Sequence, residues 1–438
     1  MKEFFHFIGI KGSGMSSLAQ ILFDNGYPVQ GSDIEETLFT QKGLEKRGIK
    51  MFPFDEKNIS GEHIYIIGNA FDEKNKEVKK VLDENYRHYR YHEFLGVFMQ
   101  RFVSIGVSGT HGKTSTTSLL AHVLKNQFPT SALIGDGTGY GEKQSKFFAF
   151  EACEYKRHFL KYNADYSIIT NVDYDHPDYF TGIEDVLDAF NGFAKNTKKK
   201  VIVCGDDLNT SKLNRYNQAI TYGINEHNIV NAQNIKVRPE FTMFEVYFKG
   251  EKQGMVKIPQ HGNHAIQNAL AVITVCLLEG MSISNVAPHL LSFAGAKRRF
   301  NVEKWNDFVV VDDYAHHPKE IEVTIEAARQ KFPDKQLVAV FQPHTYTRTA
   351  TFLEGFKSSL GKADKVYGCS IFGSARESAE TLSINHLTNL IPGSEVLTLE
   401  TIDKLTDHRN AVLLFMGAGD IGKYIDAFKD NIKIKKQA

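Results

Sequence analysis

The chain has 438 residues, which at about 100–200 residues per domain suggests two to four domains. Its composition, 42% hydrophobic and 24% charged residues, is that of a folded protein. Basic and acidic residues are equal in number, 52 of each, which argues against bulk binding to nucleic acid or to an anionic membrane. The cysteines lack CxxC spacing, so neither a disulfide framework nor a zinc knuckle is indicated. No apolar run reaches the length of a membrane span, about 20 residues, and no targeting segment is recognisable. We therefore expect a cytoplasmic protein.

The amino-terminal stretch begins with an apolar run at 4–8, which predicts a buried strand leading into a glycine-rich turn and a helix. The turn contains Gly9, Gly12 and Gly14, and a second predicted strand ends at Asp33. A glycine turn between strand and helix, with an acidic residue about 20 positions later, is typical of dinucleotide-binding folds. The glycines are spaced GxxGxG rather than GxGxxG, so the pattern indicates a turn that admits a pyrophosphate without specifying NAD.

Residues 106–116, Gly-Val-Ser-Gly-Thr-His-Gly-Lys-Thr-Ser-Thr, have the pattern of a phosphate-binding loop between a predicted strand and a helix predicted over 113–125. Glycines let backbone N–H groups surround phosphate oxygens, and the helix amino terminus adds a partial positive charge. Lys113 would reach the outer phosphates of a nucleoside triphosphate, and the Thr114 hydroxyl would bind Mg²⁺. The usual spacing places a glycine where this chain has Val107, so the alternative is a glycine-rich turn with a chance Lys-Thr pair.

Polar side chains follow two further predicted strands of this central stretch. Glu151 follows the apolar run 147–150, and His176 follows the run 166–170. Because the carboxyl ends of parallel strands meet at one edge of a sheet, we expect both residues to lie beside the phosphate-binding loop. Each of them alone would be read as a surface charge or a loop residue.

The last part of the chain, from about residue 300, alternates predicted strands and helices, with polar residues after the strands. This alternation predicts a second doubly wound sheet. The sequence therefore predicts an α/β protein of three domains: a Rossmann-like domain at 1–100, a P-loop ATPase domain at 101–300 and a Rossmann-like domain at 301–438. Residues 220–257 of the central domain are predicted to form antiparallel strands, followed by a glycine turn into a helix.

Six ordered motifs resemble those of the Mur ligases, the ATP-dependent amide-bond ligases of peptidoglycan precursor synthesis. The resemblance covers essentially the whole chain, and six motifs in order are far more specific than any one of them. The motifs are Gly109–Thr114, Asn171–His176, Gly262–His264 with Asn268, Arg298–Phe300, Asp312–Pro318 and Gly417–Asp420.

The resemblance implies an amino-terminal UDP-sugar domain, a central ATPase domain and a carboxy-terminal domain that closes with the amino acid. The implied reaction joins L-alanine to UDP-N-acetylmuramate through an acyl phosphate, with ATP and Mg²⁺ as cofactors. The implied partners are these small molecules, with no nucleic acid and no membrane.

The family's roles can be carried onto matching residues of this chain. Lys113 would bind the γ-phosphate, Arg299 and Asp313 would reach the ATP on closure, and His344 and Arg348 would orient alanine. The other implied residues are metal ligands (Thr114, Glu151 and His176), nucleotide contacts (Gly109, Thr110, His111, Gly112, Ser115, His264 and Asn268) and UDP contacts (Gly12, Ser13, Gly14 and Asp33).

The chain also departs from the family pattern. An acidic segment is expected at 151–156, but this chain has Glu-Ala-Cys-Glu-Tyr-Lys, which leaves the roles of residues 153–156 open. Thr345 stands where the family's alanine-binding motif has an arginine. Other Mur ligases use a carbamylated lysine, whereas residues 189–192 here contain no lysine, as in the alanine-adding branch.

Several alternatives stay open at the level of the sequence. Another Mur-type ligase, such as a muropeptide-recycling ligase, would differ mainly in the third-domain pocket. Folylpolyglutamate synthase does not account for the amino-terminal glycine turn, and an NAD-dependent oxidoreductase leaves the phosphate-binding loop unexplained. A nucleotide-binding module without catalysis would not need Lys113, Thr114, Glu151 and His176 together.

Overall fold

The computed structural model describes residues 3–213, 219–373 and 382–437, and within these ranges the strands form three sheets. The strands of each sheet lie inside one of the three predicted domain ranges, although the boundaries at about 100 and 300 stay predictions. In the same ranges, no helix combines the length and the apolar character that crossing a bilayer requires.

The amino-terminal sheet is entirely parallel, in the order β3-β2-β1-β4-β5. Strand β1 lies in the middle and is buried along its length because helices cover both faces of the sheet. Its neighbours β2 and β4 lie on opposite sides, so the strand order reverses at its carboxyl end, where α/β folds bind ligands. The elements are β1 (Phe5–Ile8), α1 (Ser13–Asp24), β2 (Val29–Asp33), α2 (Gln41–Glu45), β3 (Lys50–Pro53), β4 (Ile64–Ile67), α3 (Lys76–Asp83), β5 (His88–Arg90) and α4 (Tyr91–Phe98).

The middle sheet has the order β15-β14-β13-β12-β11-β10-β6-β9-β7-β8. Strand β6, which leads into the phosphate-binding loop, pairs in parallel with β10 and β9. Within residues 220–257, antiparallel pairing begins later than predicted, since β12 runs parallel to β11 and β13, and β13, β14 and β15 then alternate in direction. The elements are β6 (Val103–Ser108), α5 (Lys113–Lys125), β7 (Thr130–Leu133), β8 (Gly139–Tyr140), β9 (Phe147–Glu151), β10 (Tyr166–Ile169), α6 (Ile183–Lys195), β11 (Lys200–Cys204), β12 (Ala219–Gly223), β13 (Val230–Val237), β14 (Thr242–Phe248), β15 (Glu251–Ile258), α7 (Asn263–Leu278) and α8 (Ile283–Leu291).

The carboxy-terminal sheet has the order β16-β17-β21-β18-β19-β20, with β16 antiparallel at one edge. The α/β fold class predicted for all three parts of the chain is confirmed. Residues 346–360 form two helices that meet at Phe352. The elements are β16 (Asn301–Trp305), β17 (Phe308–Asp313), α9 (Pro318–Lys331), β18 (Gln336–Phe341), α10 (Tyr346–Thr351), α11 (Leu353–Leu360), β19 (Lys365–Gly368), α12 (Ile384–Thr388), β20 (Glu395–Val396), β21 (Ala411–Met416) and α13 (Gly422–Gln437).

Candidate active site

The phosphate-binding loop runs from the end of β6 to the first residue of α5, Lys113. Gly109 has a φ of +138°, and a Cβ atom there would lie 1.9 Å from the Thr170 hydroxyl oxygen at the end of β10. Only glycine therefore lets the loop pass so close to the neighbouring strand. This tight passage brings the amino terminus of α5 to the carboxyl edge of the sheet, where the predicted site residues gather.

Lys113 is folded back over its own loop. Its Nζ donates to the carbonyl oxygens of Gly109 at 2.6 Å and Thr110 at 3.0 Å, and to the Glu154 carboxylate at 3.0 Å. Burial alone would lower the pKa of Lys113, but the acidic groups around it, Glu154 foremost, together raise the pKa above its ordinary value. The ammonium group is therefore held charged at the loop, where a phosphate oxygen could replace Glu154.

Thr114 and Glu151 are the two predicted metal ligands from α5 and β9. The Thr114 hydroxyl donates to Glu151 Oε2 at 2.8 Å, and Gly135 N donates to the same oxygen at 3.2 Å. Burial raises the pKa of Glu151, while the nearby Lys113 ammonium group lowers it. A hydroxyl and a carboxylate at this separation are the hard oxygen donors that Mg²⁺ prefers, so these two residues fit that ion.

His176 lies at the same edge of the sheet, in the loop after β10. Its Nε2 is 3.7 Å from Glu154 Oε1, and its ring packs on Tyr155 with 4.9 Å between centroids. Burial lowers the pKa of His176, so the imidazole is neutral and has a lone pair to offer. Glu154 thus contacts both Lys113 and His176, which brings the lysine of the loop and one of the predicted metal ligands together.

A cavity of about 980 Å³ opens beside this cluster, between the middle and carboxy-terminal parts of the protein. The structure brings seven of the residues predicted for nucleotide binding or closure into its wall. They are His111, Gly112, Ser115, His264, Asn268, Arg299 and Asp313. The side-chain oxygen Oδ1 of Asn268 accepts a hydrogen bond from the Thr116 hydroxyl at 3.0 Å. Burial lowers the pKa of His264 to about 4.

Asp313, at the end of β17, organises the carboxy-terminal wall of this cavity. Its carboxylate accepts hydrogen bonds from Phe300 N and Ala315 N, both at 2.7 Å. Burial raises the pKa of Asp313 to about 6, although the nearby Arg299 guanidinium acts in the opposite direction. The residue therefore fixes the loop that carries Arg299 and leaves the guanidinium in the cavity wall.

Glu320, in the first turn of α9, connects the carboxy-terminal domain to the phosphate-binding loop. Its Oε1 is 3.6 Å from both His111 Nδ1 and Arg299 Nη1, and its Oε2 is 3.1 Å from His316 Nδ1. On its other side, His111 Nε2 lies 3.6 Å from Asp173 Oδ2. Burial opposes a charge on His111, but these two carboxylates raise its pKa to about 9.

The group around His111 also includes His317, and its side chains are of the types that bind metal ions. Possible ligand atoms of His111, Asp173 and His317 lie within 4.8 Å of one another. However, His317 Nδ1 accepts a hydrogen bond from Lys319 N at 3.3 Å, which leaves the proton of the neutral ring on Nε2, the atom that would face a metal. His111 is therefore an imidazolium that lies between two carboxylates, Asp173 of the middle domain and Glu320 of the carboxy-terminal domain.

The predicted alanine-binding residues His344 and Arg348 lie at the carboxyl edge of the third sheet. Arg348, on α10, pairs with the buried Asp175 from the middle domain at 3.0 Å, and its Nη1 is 3.5 Å from His344 Nδ1. The sequence interpretation missed Asp173, Asp175, Glu154 and Glu320 as functional groups. The first two lie inside the Asn171–His176 motif, which is the signal that could have drawn attention to them.

The predicted UDP contacts lie in the amino-terminal domain, where β1 leads into α1. Gly12, Ser13 and Gly14 form the start of α1, and Asp33 ends β2. The Asp33 carboxylate accepts from Lys11 N at 2.6 Å and from Ile34 N at 2.8 Å. Asp33 therefore holds the glycine turn in place from the neighbouring strand.

The chain is similar to known proteins both in sequence and in structure. Three family models match consecutive parts of the chain: "Mur ligase family, catalytic domain" at residues 4–103, "Mur ligase middle domain" at 107–276 and "Mur ligase, glutamate ligase domain" at 298–420.

Similar solved structures span most or all of the chain. UDP-N-acetylmuramate–alanine ligase MurC from Thermotoga maritima is 27% identical, with 99% of each chain covered and a TM-score of 0.81. A ligase from Neisseria meningitides, UDP-N-acetylmuramate:L-alanyl-γ-D-glutamyl-meso-diaminopimelate ligase, is 25% identical over 68% of this chain and 100% of its own, with a TM-score of 0.60. A murein peptide ligase from Psychrobacter arcticus is 22% identical over 98% and 99% of the two chains, with a TM-score of 0.68, and shows the shared fold.

Proposed function

The chain belongs to the Mur ligase family of ATP-dependent amide-bond ligases, and we propose that within it the protein joins L-alanine to UDP-N-acetylmuramate. Such an enzyme acts in peptidoglycan precursor synthesis and would work in the cytoplasm, where its small-molecule substrates are found. The proposal covers the amino acid, the acidic sugar nucleotide, and the use of ATP and Mg²⁺ by this chain.

The reaction needs activation because a carboxylate is a poor acylating agent. A lactyl carboxylate oxygen attacks the γ-phosphorus of ATP, the bond to the ADP oxygen breaks, and an acyl phosphate forms. The alanine amine then attacks the acyl carbon, and the tetrahedral intermediate expels phosphate, which carries away one of the original carboxylate oxygens. The protein contributes positioning and charge neutralisation along this path.

The described residues fit these tasks. Lys113 would exchange Glu154 for the γ-phosphate and neutralise its charge. Arg299, brought into the cavity wall by the carboxy-terminal domain, would add a second positive charge. Arg348 and His344 would hold the alanine carboxylate, which places the amine on the side of the acyl phosphate.

Mg²⁺ would be held by Thr114 and Glu151, with His176 as the candidate ligand of a second ion. When bound, the ion would neutralise phosphate charge. The buried carboxylate of Glu151 stays in place through its hydrogen bonds from Thr114 and Gly135 N. The imidazole of His176 is oriented by its contacts with Tyr155 and Glu154.

One observation carries the proposal: His111 and Asp173 of the middle domain line one cavity together with Arg299 and Glu320 of the carboxy-terminal domain. The Arg348–Asp175 ion pair joins the same two domains. The choice of alanine is supported by the ordered motifs, by the absence of a lysine at 189–192, and by the full-length similarity to the Thermotoga enzyme.

An ADP-release assay tests the function directly. ATP, Mg²⁺ and UDP-N-acetylmuramate are supplied with L-alanine, L-serine or glycine in turn, and we expect ADP release to depend on the sugar nucleotide and to be fastest with alanine. Absence of alanine-dependent ADP release would remove the proposed activity.

A second candidate is a muropeptide ligase that joins a peptide, rather than an amino acid, to the same sugar nucleotide. This second function is supported by the similarity of the chain to the Neisseria ligase, which is 25% identical. The same assay with L-alanyl-γ-D-glutamyl-meso-diaminopimelate in place of alanine separates the two, since each function predicts turnover with one acceptor.

A further inference from the structure

The ion pair between Arg348 and Asp175 is the feature that the proposed reaction leaves unexplained. Arg348 Nε and Nη2 donate to Asp175 Oδ1 at 3.3 and 3.0 Å. The two residues are 8% and 6% exposed, respectively, and belong to different domains, on α10 and in the loop after β10. A guanidinium buried to this extent needs a countercharge, and Asp175 supplies it across the domain interface.

Both partners are held in fixed positions. Asp175 Oδ1 also accepts a hydrogen bond from His176 N at 2.7 Å, which ties the carboxylate to its own loop. Arg348 lies on a helix whose first turn is capped by Thr345. Each domain therefore fixes its own partner of the pair.

The geometry of the pair decides which part of Arg348 is available. A guanidinium can bind one carboxylate along its Nε/Nη edge and another along its Nη1/Nη2 edge. Asp175 occupies the first edge, while Nη1 is directed to His344 Nδ1 at 3.5 Å. The His344 ring is itself stacked on Phe372, with 5.8 Å between centroids. The second edge of Arg348 therefore faces the other predicted alanine-binding residue.

We propose that Asp175 is a positioning residue, which holds Arg348 by one edge so that the opposite edge receives the carboxylate of the incoming amino acid. This inference rests on the proposed function, because it takes Arg348 as the carboxylate-binding group. Asp175 is adjacent to His176, so it connects the phosphate end of the site in the middle domain to the amino-acid end in the carboxy-terminal domain.

The main test is the variant Asp175→Asn, which keeps the shape of the side chain and removes its charge. We expect the KM for alanine to rise at least about tenfold, while the KM for ATP and for the sugar nucleotide changes less than about twofold. The matched control is Asp364→Asn, which breaks the exposed bidentate pair with Arg329, whose side chains are 40% and 41% exposed. The control should leave all three KM values unchanged.

Asp175→Glu separates positioning from simple charge neutralisation and keeps the ion pair, so it also serves if the asparagine variant does not fold. A longer carboxylate displaces the guanidinium, so positioning predicts a raised KM for alanine although the charge is retained. A wild-type KM for alanine in Asp175→Glu would mean that only the charge matters and would overturn the proposal.

A double-mutant cycle shows whether Asp175 acts through Arg348. In the Arg348→Gln background, Asp175→Asn should cause no further rise in the KM for alanine. Additive effects, an unchanged KM for alanine in Asp175→Asn, or an equal rise in the KM for ATP would each overturn the inference. Wild-type protein without any alanine-dependent ADP release would instead refute the proposed function, so the two failures are distinguishable.

Discussion

The protein contains two glycine turns of the same spacing, and they differ in what surrounds them. Gly9 and Gly12 follow β1 as Gly109 and Gly112 follow β6, and each turn opens a buried helix. The second turn borders the 980 Å³ cavity through His111, Gly112 and Ser115. At the first turn, a Cβ atom on Gly9, whose φ is +86°, would lie 2.1 Å from the Phe71 ring.

The residues between and after the glycines show the same contrast. Lys11 occupies the position of His111, but its Nζ donates to the carbonyl oxygens of Ile34 and Glu36 at 2.7 and 2.8 Å. Ser13 stands where the second turn has Lys113. One local pattern therefore occurs in two settings: the second turn borders the large cavity and carries a cation, Lys113, at the start of its helix, whereas the first has Ser13 at that position.

The largest expected effect comes from removing that cation. Lys113→Ala should lower ADP release at least about a thousandfold, because it removes the ammonium group that would neutralise the γ-phosphate. The counterpart Lys11→Ala, in the first turn, should leave the affinity for an ATP analogue within about twofold of wild type. The ADP assay measures the loss of turnover in Lys113→Ala, and calorimetry measures the affinity of Lys11→Ala for the ATP analogue. Near-normal turnover by Lys113→Ala would refute the phosphate-binding role of Lys113.

Glu151→Gln probes the carboxylate beside Thr114 without changing its size. We expect kcat to fall about a hundredfold and the Mg²⁺ concentration for half-maximal activity to rise, because an amide is a weaker ligand for Mg²⁺. Titration of ADP release with Mg²⁺ measures both quantities. Glu303→Gln, at a half-exposed carboxylate paired with Lys429, is the control, and an unaltered Mg²⁺ titration in Glu151→Gln would exclude it as a ligand.

His111 makes the stability of the protein depend on pH. Its pKa is raised from 6.5 to about 9, so the stabilisation is fully present below about pH 6.5 and is lost as the pH rises through about 9. Denaturant unfolding of the nucleotide-free protein between pH 7 and 10 should show a loss on the order of 2 kcal/mol. In His111→Asn this loss should be absent, and an equal loss in the variant would assign the pH dependence to another group.

The smallest effect is expected at the first turn. Asp33→Asn should raise the KM for the sugar nucleotide about tenfold, since a neutral side chain holds Lys11 N and the turn less firmly. The KM for ATP should stay within about twofold of wild type. Steady-state kinetics with each substrate varied in turn measures this split, and a changed KM for ATP would contradict the separation of the two turns.

The sequence was sufficient for the parts of the site that depend on local pattern. The helix predicted over 113–125 has those bounds in the structure, because the glycine turn and the apolar spacing mark both of its ends. The carboxyl ends of β9 and β10 also bring Glu151 and His176 to the phosphate-binding loop, as parallel-sheet topology requires.

The ion pairs between domains could not be predicted in the same way. Glu320 lies 209 positions from His111, and Arg348 lies 173 positions from Asp175, so neither contact leaves a periodic signal in the sequence. These contacts depend on how the carboxy-terminal domain docks on the middle one. Glu154 could not be predicted either, because in the sequence it resembles an ordinary surface charge. Only the fold shows that it lies between Lys113 and His176.

The central claim is that ATP is consumed to activate the sugar carboxylate, and an isotope experiment tests it most directly. UDP-N-acetylmuramate labelled with oxygen-18 in the lactyl carboxylate is turned over with ATP and alanine, and the released phosphate is analysed by mass spectrometry. The account predicts one oxygen-18 atom in each phosphate, transferred through the acyl phosphate. Unlabelled phosphate, or label in AMP, would contradict it.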